Sequence, residues 1–357
     1  MVLLSKREEV DLCPNLPDFK SFFGQVPPLG RRLRVACPCT GVHACGYALQ
    51  EMSVAADTNN VFDLEDAYWF ALHKHLTRMG MQKVVLNLGK TAGDLLKVEL
   101  DRLELPVDCL ISGPPCPPWA ACGNKKGQKD KRAQVFVRVL EWVYVLIKKG
   151  GLLIVVLENV EGTLNAIDGL VPAMTKFVKV LRERLPEFMW SVDTLKLEQY
   201  KVPHSRIRVF LRGVRKLMCD SVPAPLKPFG TSSLRSFLGP YPHTPRTRFT
   251  QPQRENLEEH EQRIRNMVSD GKLQMHDIVV VAADRSQNKA WNASISINVC
   301  PTLTTCNQYL VCLSVHDVVH RTPDSQREFF RKIHDCERLL LQSLPPSLYL
   351  DLPTGLL

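Results

Sequence analysis

From Leu33 onward, short apolar runs recur along the chain and are separated by longer stretches with polar faces. The runs are Leu33 to Cys37, Asn60 to Asp63, Val84 to Asn87, Cys109 to Ile111 and Leu152 to Leu157. Each is too short for a helix and most are rich in branched residues, which predicts buried strands. Between them, Asp66 to His75 and Gln134 to Lys149 place apolar residues at three-and-four spacing, the mark of amphipathic helices. Strands alternating with helices predict right-handed βαβ units, hence an α/β fold built on a mostly parallel, twisted sheet with helices on both faces. Leu170 to Leu185 continues as helix, and Met189 to Leu195 and Arg206 to Leu211 read as late strands.

The pattern changes at two places. Residues 1–32 form a polar, proline-punctuated arm before the α/β part at 33–213. After Gly213, seven prolines (Pro223, Pro225, Pro228, Pro240, Pro242, Pro245 and Pro252) share a segment with Arg235, Arg246, Arg248 and Arg254, which disfavours regular helix until the charged run Arg254 to Val268. Candidate strands follow at Asp277 to Val281 and Tyr309 to Leu313, so 214–315 is expected to be a smaller, irregular, β-containing domain. Residues 316–357 are expected to return as helix to the first domain, with Arg327 to Leu344 amphipathic.

Composition narrows the class. The chain has 357 residues, 45% hydrophobic and 23% charged, which is ordinary for a globular protein and excludes a disordered tail or a fibre. Its 12 cysteines are scattered, and Met1 to Glu9 lacks the apolar core of a signal peptide, so a reducing intracellular location is expected: the nucleus in a eukaryote, the cytoplasm otherwise. No apolar run approaches the ~18 residues of a membrane span. The formal net charge of +9 is compatible with a polyanionic partner. Nothing in the pattern speaks for an oligomer, and a monomer is the default expectation.

Candidate chemistry concentrates where strands end. Gly113-Pro114-Pro115-Cys116-Pro117-Pro118-Trp119 stops an apolar run with prolines, which lack the donor a ladder needs, and leaves Cys116 on a rigid turn. Carboxyl ends of strands are where open α/β sheets hold their ligands. A buried, inert thiol is the alternative for Cys116 on this segment alone. The small and basic loop from Ala120 to Arg132 has the composition of a loop that closes over a polyanion, or of a solvated connector. Glu158, in Leu157-Glu158-Asn159-Val160, ends the most apolar strand; it either caps a helix or sits in a desolvated site with a raised pKa. Arg206 and Arg208 stand two apart in Val202-Pro203-His204-Ser205-Arg206-Ile207-Arg208, a spacing that puts both on one face of a strand.

In this order, the proline-proline-cysteine turn, the Glu-Asn-Val strand end and the Arg-x-Arg strand resemble the cytosine-5 DNA methyltransferases. The likeness spans residues 33 to 344 and takes in Gly93-Asp94, Asp130-Lys131-Arg132 and Cys300-Pro301-Thr302-Leu303-Thr304-Thr305. Ile333 to Pro345 resembles the family's last helix weakly. The resemblance implies a Rossmann-like methyltransferase fold at 33–213, a target-recognition region at 214–315, and transfer of a methyl group from S-adenosylmethionine to C5 of cytosine in DNA. It implies Cys116 as the nucleophile that adds to C6, and Glu158 as a carboxyl group, kept partly neutral by burial, acting at N3. Arg206 would stabilise charge at O2 while Arg208 packs around the nucleophile loop, with the target base flipped out of the duplex.

On the cofactor side, the resemblance places the methyl donor against Cys39, Thr40, Gly41, Val42 and His43 after the first strand, Asp63 and Glu65 after the second, and Asp94, Leu95 and Pro114. A capping role is the alternative for Asp63. Three departures stand out. Only Gly41 remains of a usually glycine-rich turn, His204 replaces a usual glutamine, and residues 316–357 show no Gly-Asn-x-Val helix to complete the donor pocket. His204 is expected to alter supporting hydrogen bonds alone. Cys37, Cys39, Cys45 and His43 raise zinc as an alternative, but their spacing is wrong for a structural site, and no metal is expected. Methylation of tRNA and a catalytically impaired nucleic-acid-binding protein are the rival functions.

Overall fold

A computed structural model describes residues 6–14, 31–39, 44–52, 56–62, 94–103, 105–120, 126–167, 169–241, 248–284, 295–303, 309–312, 314–320, 329–350 and 352. The expected strand at Val84 to Asn87 and helix at Asp66 to His75 lie outside these residues.

Six strands form the larger sheet: β1 (Leu33–Pro38), β2 (Ala56–Phe62), β3 (Cys109–Ser112), β4 (Ile154–Val160), β5 (Phe188–Lys196) and β6 (Ile207–Arg215), in the order β2-β1-β3-β4-β6-β5. β2, β1, β3 and β4 run parallel, while β6 is antiparallel to both of its neighbours. The sheet is therefore mixed but mostly parallel, as the alternation predicts.

Side-chain alternation gives each face its own core. Ala36, Leu110, Val155, Leu157, Val209 and Leu211 pack on one face beneath α3 (Ala133–Gly150) and α4 (Ala173–Arg184). Phe136, Val139, Trp142, Val143, Leu146 and Ile147 make the buried stripe of α3 at helical spacing. Left-handed Gly151 (φ 72°) ends that helix and lets the chain turn straight into β4. Val35, Cys37, Cys109, Ile111 and Ile154 face the other way and pack against Leu49 of α2 (Ala44–Glu51), which lies after α1 (Lys6–Leu12) in the chain. α4 begins at Ala173 rather than Leu170 because Pro172 sits at its start.

The amino ends of β1 and β3 are pinned by a charge cluster that the hydrophobic pattern does not announce. Asp108 is buried and accepts paired hydrogen bonds from Arg31 (2.7 and 2.7 Å) and from the Arg34 side chain (3.0 and 2.8 Å). Those guanidiniums hold its carboxyl well below the usual range despite the burial that opposes them.

The smaller sheet is antiparallel, in the order β10-β9-β7-β8, from β7 (Val279–Ala282), β8 (Ser296–Ile297), β9 (Tyr309–Cys312) and β10 (Phe330–Lys332). Val279, Val281, Leu310 and Cys312 pack against Leu257 and Ile264 of α5 (Gln251–Ser269) and Val315 and Val318 of α6 (Val315–Val319). Val280 and Val311, on the other face, meet Leu234, Phe237, Leu340 and Leu341.

Arg327 to Leu344 is not the single helix its periodicity predicts. Phe330–Lys332 extends to pair with β9, and only Asp335–Leu340 is helical, as α7. The cause is a buried ion pair. Arg331 and Glu337 are both fully buried, joined by hydrogen bonds of 2.8 and 2.7 Å. Glu337 also accepts from the backbone of His334 (2.8 Å) and Gly239 (2.7 Å), so its carboxylate both caps α7 and ties in the 239–241 segment. Glu337→Ala, which strands a buried guanidinium, is expected to lower the unfolding free energy by about 3 kcal/mol or more. Urea denaturation of the variant checks this, and a change within about 0.5 kcal/mol would contradict it.

Candidate active site

β3 ends at Ser112, whose buried hydroxyl donates to the carbonyl of Pro38 at 2.6 Å and so clamps the carboxyl ends of β1 and β3 together. The prolines then force the chain off the sheet. The Cys116 carbonyl accepts from the backbone of Trp119 (2.9 Å) and Ala120 (3.0 Å), which closes the Cys116 loop into a tight turn. Trp119 anchors that turn, 3% exposed and edge-on to Phe136 and Phe177 at 5.7 and 6.5 Å.

The end of β4 comes alongside. Ser112 pairs in register with Leu157, which places Glu158 and Asn159 against the loop. Asn159, buried, donates its side-chain amide to the carbonyl of Pro114 at 3.1 Å and accepts from the backbone of Val160 at 2.9 Å. Glu158 points to the opposite face of β4, and its Oε2 lies 3.3 Å from where a side chain on Gly113 would begin. Just beyond, Gly162 passes so close to the Cys116 loop that an added Cβ would sit 2.0 Å from the Trp119 carbonyl oxygen.

Arg206 and Arg208 complete the cluster. Arg208 Nε lies 2.5 Å from Glu158 Oε1, and Arg206 Nη2 lies 3.6 Å from the same oxygen. The expected packing of Arg208 about the nucleophile is thus a salt bridge to Glu158. Cys116 feels all three charges. Burial pushes its thiol above the ordinary value, Arg208 and Arg206 pull it down, and Glu158 pushes it up, with a net upward shift. The pKa of Arg206 is lowered by burial first and by Arg208 second. Arg132, forked onto Asp130 at 3.0 and 2.6 Å, also lies within electrostatic reach of the thiol.

His204 supports the strand from behind through a hydrogen bond. It is fully buried, and burial with neighbouring Arg206 pushes its imidazole down to about 4, so it is neutral. Its Nε2 accepts from the backbone of Leu303 at 3.1 Å. Ser205 donates to the Cys300 carbonyl and Cys300 to the Pro203 carbonyl, both at 2.8 Å. The Cys300 to Leu303 segment is therefore docked directly behind the arginines. Its resemblance to a family segment was the only sequence signal for this.

On the cofactor side, Thr40, Gly41, Val42, His43, Asp63 and Glu65 lie outside the described residues. Cys39 turns left-handed at the end of β1 (φ 56°), a conformation that costs a non-glycine residue and makes an abrupt turn off the sheet. Asp94 caps a short 3₁₀ turn, accepting from the backbone of Leu96 at 3.0 Å. Leu95 is buried in the main core, and Pro114 is buried in the Cys116 loop. Sheet topology does suit a ligand here. In the order β2-β1-β3-β4 the winding direction changes between β1 and β3, with α2 packed on one face of the sheet and α3 on the other, the position at which open α/β sheets take their ligands. Among the described residues, no group of three or more His, Cys, Asp and Glu side chains is arranged to hold a metal ion. None of the described helices is long and apolar enough to cross a membrane.

A family model for the C-5 cytosine-specific DNA methylases matches residues 86–350. The chain belongs to this family. Among similar proteins, type II methyltransferase M.AquIA of Picosynechococcus is 30% identical over 115 residues, 31% of this chain and 45% of the relative. Type II methyltransferase M.NgoPII of Neisseria gonorrhoeae is 29% identical over 125 residues, 35% of this chain and 34% of the relative. The methylase chain thus spans less than half the length of these relatives in the matched region. Of solved structures, a Dnmt2 methyltransferase of S. pombe gives 19% identity and a TM-score of 0.42, covering 59% of this methylase and 62% of that chain. A DNMT2 mutant of Spodoptera frugiperda gives 17% identity and a TM-score of 0.42, with 59% and 60% covered.

The charge cluster sets the reactivity of Cys116. Alkylation by iodoacetamide follows the thiolate fraction, so its rate is expected to climb with pH past the ordinary thiol range. Arg208→Ala removes a charge that lowers the thiol and slows alkylation at any pH below it, whereas Glu158→Gln accelerates it. Equal rates in all three proteins would show that these charges do not reach the sulfur. Gly162→Ala is expected to destabilise the fold by about 1–3 kcal/mol through its clash with the Trp119 carbonyl, read by denaturant unfolding.

Proposed function

We propose that this chain transfers a methyl group from S-adenosylmethionine to C5 of cytosine in DNA through a covalent adduct at Cys116. The observation that carries the reading is the convergence of one half-buried thiol, one carboxylate and two guanidiniums at the carboxyl edge of β3 and β4.

Each residue answers a chemical need. C5 of cytosine is a weak nucleophile, and adding sulfur to C6 turns C5 into an enamine carbon able to take a methyl group. Cys116 supplies the sulfur as thiolate, with Arg206 and Arg208 favouring its charged form. Glu158 is placed to hydrogen-bond N3 while the ring gains electron density, since its Oε2 faces Gly113 and its Oε1 is held by arginine. Arg206 is the donor assigned to O2. After methyl transfer, loss of the C5 proton expels the sulfur, which regenerates the thiol and the aromatic ring.

The residues that would hold the donor are Cys39 to His43, Asp63, Glu65, Asp94, Leu95 and Pro114. When bound, S-adenosylmethionine supplies an electrophilic methyl group on a sulfonium. This chain's residues orient the base, hold the thiolate and exclude water. Residues 214–315 are assigned to target recognition and the basic loop at 120–132 to closing over the nucleic acid. The net charge of +9 favours such a polyanion.

Incubation with methyl-labelled S-adenosylmethionine and either duplex DNA or tRNA tests this. Label is expected in DNA and to fall by roughly three orders of magnitude or more in Cys116→Ala. Label confined to tRNA would replace the substrate, and label that survives the substitution would remove the covalent mechanism. Duplex DNA carrying 5-fluorocytosine, which has no C5 proton to lose, is expected to leave a denaturation-resistant adduct at Cys116.

A further inference from the structure

Helix α6, packed on the smaller sheet, carries two histidines one turn apart in Ser314-Val315-His316-Asp317-Val318-Val319-His320. Val315 and Val318 are fully buried on its inner side, and the Ser314 hydroxyl caps it by accepting from the backbone of Asp317 at 3.2 Å. The outer side presents His316 and His320, both exposed. The backbone of His320 donates to the His316 carbonyl at 3.0 Å, so the two stand four apart on a closed helical turn and share one face.

Their geometry suits a shared ion. The ring centroids are 4.3 Å apart and the planes are tilted by 44°. Two imidazole nitrogens, each about 2.0–2.1 Å from one zinc, lie roughly 3 Å from each other. Rings at this separation reach that distance by side-chain rotation alone, and the tilt lets their edges converge where parallel stacking would keep them apart. Asp317 adds a carboxylate, its Oδ1 3.7 Å from His316 Nδ1. A negative charge behind one ring nitrogen favours the proton there and leaves Nε2 as the metal ligand. Arg265, the cation that reaches α6 from α5, is engaged by the Val318 carbonyl at 3.2 Å and by Glu261 at 3.6 Å. The pattern His-Asp-x-x-His also has the spacing of the His-Glu-x-x-His helices that hold zinc through both imidazoles.

We propose that His316 and His320 form a two-imidazole site for zinc(II), with Asp317 as a positioning residue and water in the remaining coordination positions. Imidazole ligands select borderline cations such as zinc over magnesium and calcium, which take oxygen. The site shares no residue with the Cys116 cluster and stands apart from the methyl-transfer reading. A metal that joins residues 316 and 320 fastens the last turn of α6 and stabilises the folded chain by binding it preferentially.

Calorimetric titration of the full, reduced chain with zinc sulfate tests this, beside His316→Gln and His320→Gln, which keep size at exposed positions. His276→Gln, at an exposed histidine before β7, is the control. One equivalent of zinc is expected to weaken by about tenfold or more in each of the first two and to remain in the control. Asp317→Asn is expected to weaken the same equivalent severalfold, and Asp317→Glu to restore it. In the unsubstituted chain, zinc is expected to protect His316 and His320, but not His276, from carbethoxylation by diethyl pyrocarbonate, mapped by mass spectrometry; magnesium protects none. Equal zinc binding in every variant, or no protection of either ring, overturns the site. Loss in only one of the two glutamine variants overturns the pairing, and unchanged affinity in Asp317→Asn overturns its positioning role.

Discussion

The buried amide of Asn159 reaches across from β4 to the Pro114 carbonyl and ties the Cys116 loop to the strand that carries Glu158. Prolines free the Cys116 loop from the ladder, so its position relative to β4 has to come from elsewhere. Trp119 fixes its far end by burial, and Asn159 fixes its near end by hydrogen bonding. Because side chains alternate along a strand, the residue before Asn159 must point the other way, and that residue is Glu158. One register therefore places a structural amide and a chemical carboxylate on opposite sides of the same strand. A slip of one residue would exchange them.

The site is built on opposed electrostatic demands. Burial disfavours the Cys116 thiolate, and Glu158 adds to the penalty. Arg208 and Arg206 answer both carboxylate and thiol, yet Arg206 is itself driven toward its neutral form by burial and by Arg208. The four groups hold one another in a narrow balance, with Oε1 of Glu158 shared between the two guanidiniums. Under the proposed function, a polar base entering among them would replace some of these contacts with its own hydrogen bonds.

Much of this was legible in the chain. Among the described residues, short apolar runs and a helical apolar period located the six strands of the larger sheet and the two helices over 133–150 and 173–184 to within a few residues, while the helix Ala44–Glu51 was not foreseen. The order of Cys116, Glu158, Arg206 and Arg208 gave the members of the cluster. What escaped was polar and long-range. The Asp108 fork joins residues 74 and 77 positions apart, and the Arg331–Glu337 pair overrides a helical pattern with a strand and a short capped helix. No local periodicity carries such pairs, since a buried charge reads as a surface one until its partner is known. The role of His204 was hidden likewise, its acceptor being matched by a backbone donor 99 residues away.

That long-range contact also links the smaller sheet to the strand that carries Arg206 and Arg208. Asn298, left-handed at φ 58°, bonds the backbone of Ile278 and the carboxylate of Asp277 at the start of β7, and two residues later Cys300 is hydrogen-bonded to Pro203 and Ser205. Leu303 then donates to His204, and His204 precedes Arg206 by two residues. The path from the smaller sheet to the arginines thus runs through backbone hydrogen bonds joined by two side chains, those of Asn298 and His204. A protonated imidazole has no acceptor for Leu303, so the link needs His204 neutral, and burial secures this because it pushes the ring down to about 4. A glutamine would offer the same acceptor through its carbonyl without needing burial to remove a proton. The substitution at this position keeps the hydrogen bond and changes only what maintains it.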